Sequence, residues 1–465
     1  MTRRLFGRRE ITTDASEVTE ANVVKVIEQA YITHLINRDE IEYLYKYYKG
    51  DQPILYRVKE VRPEITNYIV ENRANLIVTF LSGYMVGKPI QYVSSISDAD
   101  VSESIAKLND LMRVAGKGAK DKQLLDWALI AGTSYRMVLP SKKKRLPFDL
   151  FTLDPRSTFV VRRNDIGRTP VCSACYTVSE KQEVTFDVYT NEMYFKISGG
   201  KILESQKLAI PMMPIIEYPL NMARLGAFEV VLPLLDALNN LDSNNLDSVE
   251  QTVQSLLVAT NCNFADGTTA NTIRQAGMVV LKSFGEYKAE IKVIGETLDQ
   301  SQTQVQKQAL LDAIYEIAGI PSQGHANTGD SSNNGAVILK NGWQSTETKA
   351  QDFEMMFTEP EQRTVELVLE ICRSLSDLNL DADSVMPKFT RRNYEDILSK
   401  SQTLVTMLGQ DKIHPQCAYE ACGLFVDTQD AYNMGMEWYE EHKAEAAEIQ
   451  KQFQPNEEED DDSPV

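Results

Sequence analysis

The sequence predicts an α+β fold made of several regions in series, and three observations carry that prediction. Stretches of helical periodicity and stretches of strand periodicity occupy different parts of the chain. The 465 residues correspond to roughly three structural units at about 150 residues each. Two long helical runs flank a short mixed insertion, like two rods with a knob at their tip. With 43% hydrophobic and 25% charged residues, the composition is that of a globular chain and excludes wholesale disorder. The most apolar stretch, 69–86, is broken by Glu71, Asn72, Arg73 and Asn75, so no membrane-spanning helix is expected. The arginine-rich start has no apolar segment behind it, so no secretory signal is expected.

The first 20 residues are polar and read as a flexible arm. Val23, Ile27, Tyr31 and Leu35 then recur every four residues and predict a helix. Tyr43, Tyr45, Tyr47 and Tyr48 follow, stopping at Gly50. Aromatics beside cations can stack on nucleic acid bases, but Ile41, Leu44, Tyr45 and Tyr48 keep helical spacing, which favours core packing. Residues 64–82 read as a further helix, closed by Gly83 and Gly87-Lys88-Pro89. Residues 101–131 read as two helices divided at Gly116-Lys117-Gly118. The period then changes. Residues 134–139, 148–153, 158–162, 171–178, 184–189 and 192–197 are short, β-branched or aromatic, and bounded by turn residues. The cationic run Lys142-Lys143-Lys144-Arg145 lies between two of these strands, where an exposed hairpin loop explains it better than phosphate contact.

Helical patterning resumes after Pro219. Residues 230–260 predict a rod of about 45 Å at about 1.5 Å per residue, with a narrow apolar stripe of Leu234, Leu238, Leu241, Val249, Val253 and Leu256. Asn239, Asn240, Asp242, Asn244, Asn245 and Asp247 fill much of the remaining surface. So polar a helix is expected beside other rods with one side wet. The insertion 261–296 carries strand patterns at 278–282 and 289–294, and a second rod follows at 298–318. Residues 319–335 are small and polar throughout and read as a flexible surface loop. They lack the Lys-Ser/Thr ending of a phosphate-binding loop, and no strand precedes them. Ala336, Leu339, Trp343, Thr346, Ala350, Phe353 and Phe357 then mark an amphipathic helix expected to kink at Pro360. Residues 394–454 read as short helices, and an uninterrupted acidic run, 457–462, ends the chain in a disordered tail.

The formal charge is −19, from 48 Lys plus Arg and 67 Asp plus Glu. Residues 415–465 hold 14 acidic and 2 basic side chains, so this segment contributes −12 and the rest −7. That balance argues against a surface built to grip phosphates, although local charge matters more than the sum. Cys172-x-x-Cys175 sits in a strand pattern that sends the two thiols to opposite faces. Cys417 and Cys422 have the wrong gap for a zinc ribbon, so buried reduced thiols are expected. His34, His325, His414 and His442 form no recognised catalytic pattern, and no HExxH or GxSxG is present. Neither a metal nor a cofactor is expected. A metal-dependent nuclease using Asp236, Asp242 and Asp247 is disfavoured, since spacings of six and five do not share one helical face. A monomeric adaptor or scaffold protein stays open as a second reading.

Several phrases, taken in order, resemble one family. They are Tyr47-Tyr48-Lys49-Gly50-Asp51-Gln52-Pro53-Ile54, the stretch 67–75, and Gly83-Tyr84-Met85-Val86-Gly87-Lys88-Pro89-Ile90. Residues 239–246, Gly319-Ile320-Pro321, Asn334-Gly335-Ala336 and 413–427 continue the series; the family more often has Ser-Gly where Asn334-Gly335 stands. The chain resembles the portal proteins of tailed double-stranded DNA bacteriophages, in the type found in long-tailed phages of Gram-positive hosts. The resemblance implies a homo-oligomeric ring, usually of twelve subunits, at one capsid vertex, without enzymatic activity. It would pass DNA during packaging and ejection and nucleate capsid assembly. Implied partners are the terminase large subunit, major capsid and scaffolding proteins, a head-tail connector, and double-stranded DNA held without sequence preference. No membrane is implied; the implied location is the virion, with assembly in the host cytoplasm.

Laid on this chain, the resemblance implies a flexible arm at 1–20, an α/β wing at 21–225, stem helices at 226–260 and 297–318, and an αβ clip at 261–296. A tunnel loop would span 319–335, a long kinked helix returning through the wing 336–386, a helical crown 387–454, and an acidic tail 455–465. Ser322, Gln323, His325, Asn327, Ser331, Ser332 and Asn333 would give the loop weak contact with DNA. Lys307 and Lys340 are the candidate tunnel-facing cations, with a surface charge or inter-subunit ion pair as the competing reading. Lys282, Glu286 and Lys288 are candidate clip contacts for terminase.

Overall fold

The computed structural model describes residues 5–452 apart from 61–62, 96–98, 142–144, 254–255, 261, 264–281, 284–289, 295–299, 322–342, 377, 391–396, 411 and 426–427. In chain order the helices are α1 (Val23–Tyr48), α2 (Arg73–Met85), α3 (Ala99–Val114), α4 (Lys117–Ala131) and α5 (Leu232–Val253). They continue as α6 (Gln300–Ala318), α7 (Trp343–Leu375), α8 (Ile397–Leu408), α9 (Pro415–Cys422) and α10 (Thr428–Gln452). The chain divides into two units. The smaller combines Tyr45–Ile77 with Phe228–Ala318, and the larger combines Phe6–Leu44, Val78–Ala227 and Gly319–Val465.

In the larger unit the predicted β-rich region is a six-stranded sheet ordered β1-β5-β6-β7-β8-β9. Its strands are β1 (Ile11–Thr13), β5 (Thr158–Arg163), β6 (Pro170–Val178), β7 (Val184–Tyr189), β8 (Met193–Ser198) and β9 (Lys201–Lys207). A second sheet orders β10 (Ile215–Pro219), β3 (Thr133–Pro140) and β4 (Phe148–Leu153), and β2 (Gln91–Ser94) pairs with β15 (Val385–Lys388). All six predicted strands exist, to within about a residue. β1, β2, β9, β10 and β15 were not anticipated. β9 is exposed at nearly every position and so lacks an apolar alternation to read.

One face of the large sheet packs on α1. Val23, Ile27 and Ala30 meet Phe159, Cys172, Val188 and Phe195 in one buried cluster. His34 lies in this layer, against Phe159 and Tyr176. Burial holds its pKa at about 4, so it is a packed neutral ring rather than a ligand. A second core joins α3, β4 and the C-terminal half of α7 through Leu108, Phe148, Val365, Val368 and Ile371.

The expected flexible arm is anchored from residue 6 onward. β1 adds to β5 in parallel, with Ile11 opposite Val161. The Arg8 amide donates to the Arg224 carbonyl at 3.2 Å, and the Arg9 backbone exchanges hydrogen bonds with the Asn37 amide group at 2.9 and 2.8 Å. Gly7 makes this approach possible: its φ is +85°, and a Cβ would run into the Ala223 carbonyl oxygen. Short-range polarity suggested mobility because the arm's partners lie far along the chain.

In α7 the predicted spacing holds. Thr346, Ala350, Phe353 and Phe357 are buried. The helix continues through Pro360, and the Thr364 hydroxyl donates to the Pro360 carbonyl at 3.2 Å. Two other helix boundaries differ from expectation. Residues 65–72 are not helical. The first rod ends at Val253, after which β11 (Leu256–Thr260) pairs antiparallel with β14 (Glu290–Ile294). The run Leu-Leu-Val-Ala-Thr suits a paired strand as well as a helical turn, and only the partner strand decides between them. Within the insertion, β12 (Cys262–Asn263) also pairs with β13 (Lys282–Ser283).

Candidate functional site

The two rods of the smaller unit are α5 and α6. Lys307 on α6 reaches Asp242 on α5, and the end of α6 packs against residues 229–231, so the two helices run antiparallel. Lys307 binds Asp242 at 3.0 Å and Glu71 at 3.1 Å. Arg73 pairs with Glu71 and donates to the Tyr315 hydroxyl at 2.6 Å. Burial alone would lower the Lys307 pKa, but the two carboxylates raise it. Burial and the nearby Glu71 raise the Asp242 carboxyl. Lys307, expected as a tunnel-facing cation, is therefore engaged by carboxylates of its own chain.

The polar side of α5 has an unexpected occupant. Asn239, Ser243 and Asp247 are each 2% exposed or less. They recur every four residues and accept, in turn, from the backbone amides of Glu71 (2.9 Å), Ile69 (3.0 Å) and Asn67 (2.7 Å). Four helical residues rise about 6 Å, and two extended residues rise about 6.6 Å. The helix face and the extended segment are thus in register, one side chain to each alternate amide. This strap explains why 65–72 is not helical: its amides are spoken for by side chains of α5. Asn239, Ser243 and Asp247 are thus satisfied within the chain, while Asn240 and Asn244 stay exposed and α5 packs beside α6, as expected of a rod with one side wet.

Further bonds close the strap. Asp247 also takes Arg57, Lys59 and the Asn67 side-chain amide, the last at 2.9 Å. Burial would raise its pKa, but Lys59, Asn67 and Arg57 hold it at about 2. The Tyr47 hydroxyl donates to buried Asp236 at 2.8 Å, and Asn239 donates to Gln52 at 2.5 Å. The carboxylates weighed as a nuclease set, Asp236, Asp242 and Asp247, are each committed to different partners. Among the described residues no group of His, Cys, Asp and Glu is arranged to hold a metal.

A second polar centre lies in the larger unit, where sequence reading placed nothing. Asp121 and Lys117 on α4, Arg136 on β3 and Glu361 on α7 are all buried. Lys117 bonds Asp121 at 2.6 Å and Glu361 at 2.8 Å. Arg136 bonds Asp121 and reaches Glu361 at 3.1 Å. The Tyr92 and Tyr218 hydroxyls donate to Glu361 at 2.6 and 2.9 Å. Burial would raise the Glu361 pKa, yet the Lys117 and Arg136 cations hold it well down. Two cations against two anions leave this site neutral, and it fixes the long helix α7 to the sheet. The one sequence signal was Arg136, a lone charge in the strand β3; Lys117, Asp121 and Glu361 lie in polar stretches that read as surface.

Of the predicted loop, Gly319, Ile320 and Pro321 fall among the described residues. Gly319 has φ +69° and its carbonyl accepts from buried Thr346 at 2.7 Å. Ser322, Gln323, His325, Asn327, Ser331, Ser332, Asn333 and Lys340 lie outside the described residues, as do Glu286, Lys288 and the run Lys142–Lys144. Lys282 stands in β13 opposite Asn263. His414 caps α9, accepting from the Gln416 amide at 3.2 Å, and His442 stacks on Trp438. Cys172, Cys175, Cys372, Cys417 and Cys422 are free thiols. Among the described residues no helix is long and apolar enough to cross a membrane.

A family model described as phage portal protein, SPP1 Gp6-like, matches residues 29–457. No curated protein matches the chain. Two similar solved structures come from particle necks. One is a chain from the neck of an empty GTA particle computed with C6 symmetry, at 13% identity and a TM-score of 0.45, covering 76% of this chain and 90% of that one. The other is from the neck of a native GTA particle computed with C12 symmetry, at 13% identity and a TM-score of 0.43, covering 76% and 89%.

Proposed function

Since this chain belongs to the SPP1 Gp6-like family of phage portal proteins, we propose that it works as a closed homo-oligomeric ring, of twelve subunits in the virion, with DNA passing through its centre. The chain is a portal protein and a component of the virion. The family match over residues 29–457 carries the reading. Within the ring, the antiparallel pair α5 and α6 forms the stem, 261–296 the clip, 319–335 the tunnel loop and 387–454 the crown.

A conduit must let DNA slide both ways. Each phosphate neutralised by a cation adds salt-sensitive affinity, so a wall dense in free Lys and Arg would hold the duplex. The chain's net charge of −19 and the carboxylates around Lys307 suit a wall that does not grip. Ser322, Gln323, His325, Asn327, Ser331, Ser332 and Asn333 make weak contacts in the loop, and Lys340 is the flanking cation. Lys282, Glu286 and Lys288 face the terminase large subunit at the clip, and later the connector. ATP hydrolysis belongs to terminase, and the portal contributes no chemistry. The ring assembles in the host cytoplasm with scaffolding and major capsid proteins.

The test is native mass together with end-on particle images of the purified protein. A closed ring of about a dozen copies around a central hole is the expected result, as heterologous contacts that close by rotation require. A protein that stays monomeric or dimeric even with its scaffold and capsid partners would overturn the conduit and leave an adaptor.

A further inference from the structure

Helices α8, α9 and α10 form a layer that has almost no core of its own. α9 packs on α8 and on α10, α8 and α10 scarcely meet, and the three pack mainly on one another. Of the side chains described from Lys400 to Lys443, only Ala418 and Cys422 are buried. Val405 and Leu408 on α8, and Met434, Trp438 and Tyr439 on α10, are each 44–69% exposed. A layer of helices buries its apolar side against a second layer, and clustered exposed apolar side chains mark a contact site.

The exposed groups lie at the two edges of this layer. On α10, Tyr432 faces α9, its ring meeting that of Tyr419 at 5.9 Å. Met434 and Trp438 lie about 160° and 120° round the helix from Tyr432, with Glu437 and Glu441 beside them. On α8, Lys400 faces α9 and donates to the Gly423 carbonyl at 3.2 Å. Val405 lies about 140° round from Lys400. The edges also differ in charge. Residues 397–413 carry Lys400, Asp411 and Lys412, a net +1, and residues 428–443 carry Asp430, Glu437, Glu440, Glu441 and Lys443, a net −3. Lys412, Glu437, Glu440 and Glu441 are exposed and form no ion pair among the described residues.

We propose that the α10 edge of one copy packs against the α8 edge of the next, with Met434 and Trp438 meeting Val405 and Leu408, and Glu437 and Glu441 meeting Lys412. The occupant is a second copy because each chain carries both halves of the contact, apolar and acidic on one edge, apolar and cationic on the other. Apolar groups from the neighbour supply the core that each copy lacks, and the charges set which edge meets which. Two different edges make the contact heterologous, so it repeats from copy to copy and closes by rotation. The contact rests on the ring proposed above and names the faces that join neighbours at its crown.

Val405→Cys and Met434→Cys test the contact, together and singly, in full-length protein carrying Cys417→Ser, which removes an exposed thiol. Both positions are exposed, so the fold does not need them. A short bis-maleimide is added, the products are read on a denaturing gel, and native mass is measured on the same samples. The pair is expected to give a ladder of covalent oligomers reaching about a dozen copies, and each single variant and the Cys417→Ser parent only monomer. Rings by native mass without a ladder overturn the contact and leave the ring standing. Dimers from either single variant also overturn it, since like edges would then meet. A protein that forms no ring even with its scaffold and capsid partners overturns the ring, and this contact with it. As a second readout, Trp438→Asp is expected to speed amide exchange in α8 about tenfold in the assembled protein and not in the dissociated one. Unchanged exchange in the assembly, or equal speeding in both, overturns the contact.

Discussion

Replacing Glu361 by Gln keeps the shape of the side chain and removes its charge. Glu361 accepts from Lys117 at 2.8 Å, Arg136 at 3.1 Å, Tyr92 at 2.6 Å and Tyr218 at 2.9 Å, and all of these groups are buried. In Glu361→Gln two cations face Asp121 alone, with no route to water. Breaking a buried ion pair from one side costs about 3–5 kcal/mol, because the charge left behind stays desolvated. For a unit of this size, about 1 kcal/mol moves the melting temperature by roughly 1–2 °C, so the larger unit is expected to melt about 5–8 °C lower. Scanning calorimetry measures the shift, with Glu366→Gln as the control. Glu366 is exposed on the same helix, and its substitution is expected to cost less than about 0.5 kcal/mol. Hydrogen exchange then locates the damage: amides of α7 around Thr364 are expected to exchange faster in Glu361→Gln. A shift below about 1 °C without faster exchange in α7 would refute the reasoning, since it would mean that water or another anion reaches the cluster.

Three further outcomes follow from the same geometry. Asp247→Ala removes the acceptor of the Asn67 amide and of Arg57 and Lys59; a loss of about 2–3 kcal/mol in the strap is expected to speed tryptic cleavage at Arg57 or Lys59 by roughly 30- to 150-fold when cleavage follows local opening, and unchanged cleavage would refute it. Burial alone would raise the Glu217 carboxyl, but Arg224 and Arg162 bring it from 4.5 down to about 2. Its contribution of about 3 kcal/mol is therefore complete above the unfolded pKa and is lost as pH falls from 4.5 toward 2. His34, held at about 4 by burial, loses stability in the same direction, starting near its unfolded value of 6.5. Melting temperature against pH is expected to show a shallower acid limb in Glu217→Gln, and an unchanged slope would count against the ion pairs. Gly7→Ala forces a Cβ into the Ala223 carbonyl at φ +85°, so the amides of Ile11–Thr13 are expected to lose exchange protection; retained protection would show that the arm does not need its glycine.

Local pattern carried much of this fold. The strands from Thr133 to Ser198 were readable because β-branched and aromatic runs alternate with turn residues, and α7 was readable because Thr346, Ala350, Phe353 and Phe357 keep a helical period. The portal family was legible from the order of phrases between Tyr47 and 427, none of them a catalytic signature. The arm, the strap and the buried ion cluster were not legible, for one shared reason. Arg9 meets Asn37, Asn67 meets Asp247, and Lys117 and Arg136 meet Glu361 only after the chain has folded, and no period within a short window records such a meeting.

The strap shows where the division lies. Its two halves were each visible in the sequence, a helix with Asn239, Ser243 and Asp247 every fourth residue and a segment with Asn67, Ile69 and Glu71 at alternate places. Each half had a sensible local reading, a wet rod and a second helix; the second was overturned, and the first holds for Asn240 and Asn244 but not for the buried row Asn239, Ser243 and Asp247. A side chain reports its own preference to its neighbours in sequence, but a hydrogen bond belongs to two groups. The sequence determined the family, the strands and the amphipathic helices, because burial and periodicity act within one element. Only the tertiary structure decided which polar groups are satisfied by which, because a buried donor is settled by whatever acceptor the fold brings to it.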